Sequence, residues 1–486
     1  MTATTTGPTM EGTAEAVGAA RTIADSAAAL RAGETTSVAL VREALAVADK
    51  YDAPVGVFID RYRDSALAAA EMADAALASG APVGPLHGIP LGIKDIISTT
   101  EGPTTCQSLV HDPAASVGDA VVVQRLRAAG GIVMGKLSTC EFAIGAPDAS
   151  KPFPVPKTPW SLDHWAGGSS SGSGSSVALG AVQGALGTDT GGSIRMPAAY
   201  CGITGLMPTF GRVPKSGCAP LGYSLDHIGP MARTARDCAV MFDVLAGPDA
   251  SDPTTLDVPV PVYTDALTGD LAGVRIGVDS LARIGGDLQD PALLPAFEAA
   301  VEALAERGAQ VVEVELPFYE ELSFADWLIM LSEAAAYHLP DLQTKWELYG
   351  APTRATLANG LLYSAADYVQ AQRARRVGQK AIAKVYEQVD LIATPTCATG
   401  APSFAHLDEF GVAADFFRTI YTGYWDTTGN PVLSLPMGFT GNGLPLSLQL
   451  AGRPFEEALV LRAGDAYQQL TDWHLRVPRP ALEASA

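Results

Sequence analysis

Gly167-Gly-Ser-Ser-Ser-Gly-Ser-Gly-Ser-Ser176 contains only glycine and serine, and Gly187-Thr-Asp-Thr-Gly-Gly-Ser193 follows it closely. A flexible linker would explain the first stretch alone. The surroundings contradict a linker: Val177-Ala-Leu-Gly-Ala-Val182 is core-like, and the segment Gly187 to Arg195 reads as a strand running into a tight turn. Linkers end in domain boundaries, whereas this stretch lies inside continuous core sequence. Ser169 and Ser193 therefore stand in glycine-lined backbone that a substrate or another chain can approach closely. The pattern suggests a buried, serine-based active site.

Working outward, strand and helix signals alternate along the chain. Apolar residues recur at helical spacing from Ala24 to Asp49, with Thr36 or Ser37 placed as an N-cap. Glu71 to Ala78, Ala120 to Ala129 and Ala292 to Arg307 also read as helices, and a final one lies near Glu457–Leu470. His87 to Ile97, Gly131 to Met134, Val274 to Val278, Val311 to Glu315, Asp390 to Pro395 and Val432 to Pro436 read as strands. Lys151 to Trp160 carries four prolines and is expected to be an extended loop. The alternation predicts an α/β fold, with a large mixed, mostly parallel β-sheet covered by helices on both faces. One domain is expected over residues 21–480, with a helical elaboration at about 325–388 and a loose tail at 1–20.

The 486 residues include 48% hydrophobic and 17% charged residues, the composition of a globular protein with a large core. With 32 basic against 53 acidic residues the net charge is −21, which disfavours nucleic acid and anionic membranes as partners. The six cysteines form no C-x-x-C pair or regular framework, which points to reduced thiols and the cytoplasm. The first twenty residues lack the basic and apolar regions of a signal peptide. No Gly-x-x-x-x-Gly-Lys-[Ser/Thr] phosphate loop is present. The seven histidines are scattered without metal-ligand spacing, so no metal or cofactor is expected.

Lys94 is the third informative residue. It sits among Ile89, Leu91, Ile93, Ile96 and Ile97, where burial would lower its pKa and make a neutral, basic amine accessible. An ion pair with Asp95 is the bland alternative, and for Lys94 alone the commoner one. Around Ser193, successive glycines let backbone N–H groups converge on one point, as an oxyanion hole requires. A glycine turn binding nothing is the alternative there.

Taken together, these segments resemble the amidase signature family of amide hydrolases. The resemblance runs through Gly167 to Ser173, Gly187 to Ala198, Cys201 to Val213 and Ser224 to Thr234. It includes the lysine segment Pro85 to Asp95 and the closing segments Thr428 to Pro431 and Leu444 to Gly452. In all it spans roughly Thr36 to Pro478. It implies a Ser–Ser–Lys triad: Ser193 the nucleophile, Ser169 the bridging serine after a cis peptide, and Lys94 the base. Backbone N–H groups of Thr190, Gly191, Gly192 and Ser193 would form the oxyanion hole, while Asp189 and Arg195 fix the turn. Ala143, Ile144 and Gly145 would line a pocket wall with Ser170, and the loop Ala146–Trp160 and the helical part near Trp327, Met330 and Leu331 others; the alternative for those last three, at helical spacing, is simple core. The departures from the family pattern (Ser171 for Gly, Met207 for Lys, Tyr223 for Asp) leave the triad intact.

These implications favour a free-standing amidase, a monomer or homodimer acting on small uncharged, hydrophobic amides, aryl amides, esters or carbamates. An aryl-acylamidase or urethanase-like member fits this reading. The alternative is the catalytic subunit of a glutamine-dependent amidotransferase, which needs a protein partner and tRNA. A binding module that kept the fold without catalysis would be expected to have lost Lys94, Ser169 or Ser193, and all three are present.

Overall fold

The computed structural model describes residues 21–116, 118–410 and 416–478. The expected tail at 1–20 lies outside them. Eleven strands form one sheet: β1 Phe58–Arg61, β2 Pro90–Lys94, β3 Ile132–Leu137, β4 Gly184–Asp189, β5 Thr204–Met207, β6 His227–Ala232, β7 Arg275–Val278, β8 Gln310–Glu313, β9 Leu391–Pro395, β10 Val432–Phe439 and β11 Pro445–Gly452. Their order is β1-β3-β2-β4-β6-β5-β10-β11-β9-β7-β8.

The sheet is large and mixed, but parallel pairings do not dominate it. β2–β3, β2–β4, β7–β8 and β7–β9 are parallel. The other six pairings, β1–β3, β10–β11, β10–β5, β11–β9, β4–β6 and β5–β6, are antiparallel. The β10–β11 connection shows why. Only Thr440 to Leu444 separates these strands. A parallel crossover needs a dozen or more residues, so a link this short can only turn the chain back on itself.

Side chains alternate across the sheet and feed separate cores on its two faces. Val133, Leu186 and Ala232 join the core containing helices Ala235–Leu245, Leu293–Glu306 and Glu457–Gln468. Ile132, Ala185 and Met231 join the opposite core, with helices Ser37–Val55, Ser171–Leu179 and Arg195–Cys201. Both faces are therefore covered, which is why β2, β3 and β4 are buried along their whole length.

Locally the sequence signals work at the helix starts. Thr36 caps Ser37–Val55, its Oγ1 accepting from Ala39 N at 3.0 Å, and Gly33 in the left-handed region ends the preceding helix Ile23–Ala32. Residues 319–385 contain the helices Tyr319–Thr344, Ala351–Gly360 and Ala365–Val385. No helix among the described residues is long and apolar enough to cross a membrane.

Candidate active site

The Gly/Ser stretch becomes the buried helix Ser171–Leu179. Glycine is a poor helix former, but here close packing requires it. A Cβ on Gly172 would lie 2.5 Å from Val57 O, and one on Gly174 2.9 Å from Pro197 O. The serines bond outward: Ser173 Oγ donates to Leu186 O at 2.9 Å and Ser175 Oγ to Lys157 O at 2.8 Å. The helix is thereby pinned beneath β4, and its leading residues, Ser169 and Ser170, are held at the carboxyl ends of β2 and β4.

Lys94 ends β2 and Asp189 ends the neighbouring parallel strand β4, so both point to the same edge. Lys94 is fully buried. Its Nζ donates to Ser169 Oγ at 2.6 Å, to Thr188 Oγ1 at 2.7 Å and to Ser170 Oγ at 3.0 Å. The ion pair with Asp95 does not form; Asp95 faces Lys136 at 3.4 Å and accepts from Thr105. Burial without a carboxylate partner lowers the Lys94 pKa to about 8.

The Gly168–Ser169 peptide is cis, as the resemblance implied. Ser169 O accepts from Thr139 Oγ1 at 2.7 Å. Ser193 follows β4 across the turn, and its carbonyl accepts from Ser170 N at 3.1 Å. Ser193 is partly exposed, whereas Ser169 is buried. Among the described residues no hydrogen bond joins the Ser169 and Ser193 hydroxyls. Catalytic hydrogen bonds commonly tighten only around substrate.

Asp189 organises the turn. Its carboxylate accepts from Gly192 N at 2.5 Å, Ile194 N at 3.0 Å and Arg195 Nε at 3.0 Å. The Arg195 guanidinium holds Asp189 well below the usual carboxylate range despite its burial. Arg195 also bonds Asp426 and, at 2.9 Å, Thr422 O. Thr422 Oγ1 donates back to Gly191 O at 2.6 Å. These bonds correct one expectation. The Gly192 N–H is taken by Asp189, so it is not free for an oxyanion. The N–H groups of Thr190, Gly191 and Ser193 make no hydrogen bond among the described residues.

The expected pocket wall also differs. Ser170 is fully buried, and its hydroxyl is engaged by Lys94 and by the Thr188 N–H and carbonyl. Ala143 and Ile144 belong to the hydrophobic core, and Gly145 packs against Thr353. Leu331 is core as well, but Met330 reaches the turn, its Sδ 3.9 Å from a Cβ placed on Gly191. His227 and Asp226, adjacent in sequence, turn to different partners. The His227 Nδ1 lies 3.2 Å from Asp189 O, while Asp226 accepts from Thr190 Oγ1 at 2.6 Å.

Three residues at the site were not singled out from sequence: Thr188, Asp326 and Thr422. Asp326 had a readable signal, being the one acid within Phe324-Ala-Asp-Trp-Leu-Ile-Met330. Thr188 and Thr422 had none, since threonine is unremarkable at a strand end or in a loop.

A family model described as Amidase matches residues 39–461. The chain belongs to the amidase signature family. Its class of activity is amide hydrolysis. An amidase from Pseudomonas putida is 39% identical, the match covering 94% of this chain and 97% of that one. A glutamyl-tRNA(Gln) amidotransferase subunit from Roseiflexus sp. (strain RS-1) is 42% identical, over 95% and 99% of the two chains. Among solved structures, the peptide amidase from Stenotrophomonas maltophilia superposes with a TM-score of 0.79 at 29% identity, covering 93% and 96%.

Proposed function

We propose that this amidase cleaves the side-chain amide of glutamine through an acyl-enzyme on Ser193, releasing ammonia as the catalytic subunit of an amidotransferase. The observation that carries the chemistry is the buried Lys94, hydrogen-bonded to Ser169 with no carboxylate pairing it. Serine is a weak nucleophile and needs such a base. Neutral Lys94 takes the Ser169 proton as Ser169 takes that of Ser193. Ser193 Oγ then bonds to the amide carbon, and the N–H groups of Thr190, Gly191 and Ser193 receive the developing oxyanion. The relay returns a proton to the nitrogen, the C–N bond breaks, and water hydrolyses the ester.

The Roseiflexus relative supports glutamine as the substrate. The acidic surface argues against direct tRNA binding by this chain, but ammonia release can occur at one subunit while tRNA is held by another. A second reading, a free-standing amidase acting on small amides or carbamates, is favoured by the Pseudomonas relative. Ammonia release by the purified chain separates them. Glutamine hydrolysis that requires added partner subunits supports the first reading. Rapid hydrolysis of anilides or aliphatic amides by the chain alone, with glutamine inert under both conditions, supports the second and overturns the first.

A further inference from the structure

We infer that Asp326 is a specificity residue of this site, and that it selects carboxamides carrying a protonated amine. The inference rests on Ser193 being the nucleophile and names the class of substrate brought to it. Asp326 projects from the helix Tyr319–Thr344 and is 3% exposed. Its Oδ2 stands 2.9 Å from the place a Cβ on Gly191 would occupy, and 3.0 Å from the equivalent point on Gly423. The carboxyl group thus abuts the turn that carries Ser193, in a gap that two glycines leave open.

Every neighbouring acid is supplied with donors. Asp189 is bonded by Arg195 and the turn N–H groups. Asp226 accepts from Thr190 Oγ1, Leu221 N and Gly222 N. Glu333 accepts from Ser224 N, Ser224 Oγ and Tyr368 OH, and Asp426 from Arg195. Asp326 alone among them has no hydrogen-bond or ion-pair partner among the described residues, and its Oδ1 is enclosed. Burying a carboxyl group without a donor is costly, so the missing donor is to be sought outside the chain.

Charge decides which donor fits. Asp326 interacts with Asp189, Glu333 and Asp426, and with the guanidinium groups of Arg195 and Arg375. Burial raises the Asp326 and Asp426 carboxyl groups well above the usual carboxylate range, and the two guanidinium cations do not offset it. Neither cation is available: Arg195 is spent on Asp189, Asp426 and Thr422 O, and Arg375 on Thr427 O and the Ser224 carbonyl and hydroxyl. An ammonium group supplies positive charge and up to three donors. A neutral amide would bring no charge to hold the Asp326 carboxylate ionised. Glutamine, through its α-ammonium, and amino-acid amides belong to this class. The uncharged hydrophobic amides expected from sequence do not.

Two matched pairs test the idea: glutamine against glutaramate, and leucinamide against 4-methylpentanamide. Each pair differs only by the amine. Dissociation constants are measured by calorimetry on Ser193→Ala and on Ser193→Ala/Asp326→Asn, with thermal melts confirming that both are folded. The aminated member of a pair should bind Ser193→Ala about tenfold tighter or more, the scale of a charged hydrogen bond. In the double variant the difference should vanish, with the affinity of the member lacking the amine kept within about threefold. Equal binding of both members by Ser193→Ala, or a preference that survives Asp326→Asn, overturns the proposal. Hydrolysis of any probe by Ser193→Ala is a separate failure: it removes the nucleophile and leaves the affinities to be judged by themselves.

Discussion

Lys94 sets the pH behaviour expected of this enzyme. The base must be neutral, and its pKa of about 8 means that the neutral fraction grows as pH rises toward that value. The rate of acylation should climb about tenfold per pH unit below 8 and level off above it. A profile flat from about pH 6 to 9 would remove Lys94 as the titrating base. Ser193→Ala should abolish turnover without loss of thermal stability, because it removes a partly exposed hydroxyl and no packing volume. Ser169→Ala should cost roughly 10²–10⁴ in kcat. Amides should suffer more than activated esters, whose leaving groups need no proton; equal losses on matched amide and ester substrates would make Ser169 a structural residue. These three positions could be read from sequence because each lies in a local motif. Asp326 could not be placed at the site, because its partner surface, Gly191 and Gly423, comes from distant parts of the chain.

At the scale of elements, the turn after β4 is shaped from outside as much as from within. Gly192 has φ of +128°, and a Cβ there would collide with Thr422 Oγ1. Gly192→Ala must therefore strain the backbone and push away the loop that bonds Gly191 O. A loss of about 2 kcal/mol or more is expected, visible as a lower Tm, together with loss of activity. A stable, active variant would mean that the contact is dispensable. The same principle explains what the sequence pattern concealed. Helix Ser171–Leu179 is built from residues of weak helical preference, and only its fit against Val57 and Pro197 reveals why they are there. The helix starting after Thr36, by contrast, announces itself through a cap and apolar spacing.

For the whole molecule, alternation of strand and helix signals was enough to indicate a sheet covered on both faces. It could not assign strand direction. β4 and β6 are antiparallel neighbours although residues 190–226 separate them, and no local pattern fixes such a pairing. The net charge bears on assembly. If the chain works within an amidotransferase, a purified complex should release ammonia from glutamine and pass it to a tRNA-linked acceptor. The isolated chain should show no salt-sensitive affinity for tRNA. Tight binding of tRNA by the isolated chain, weakening with salt, would count against that division of labour.

The bond from Arg195 to Thr422 spans 227 residues of chain, and that to Asp426 spans 231. On a ribosome adding about 5–20 residues per second, the motif with Ser193 emerges on the order of ten seconds or more before the segment that braces it. During that interval Arg195 can meet Asp189 but neither Thr422 nor Asp426. Catalytic competence is therefore the last property the chain acquires, although its signature is written in the first half. Refolding followed in parallel by tryptophan fluorescence and by amide hydrolysis should show activity trailing compaction. A truncated chain ending at Asp390 should keep every residue of the triad and turn over nothing.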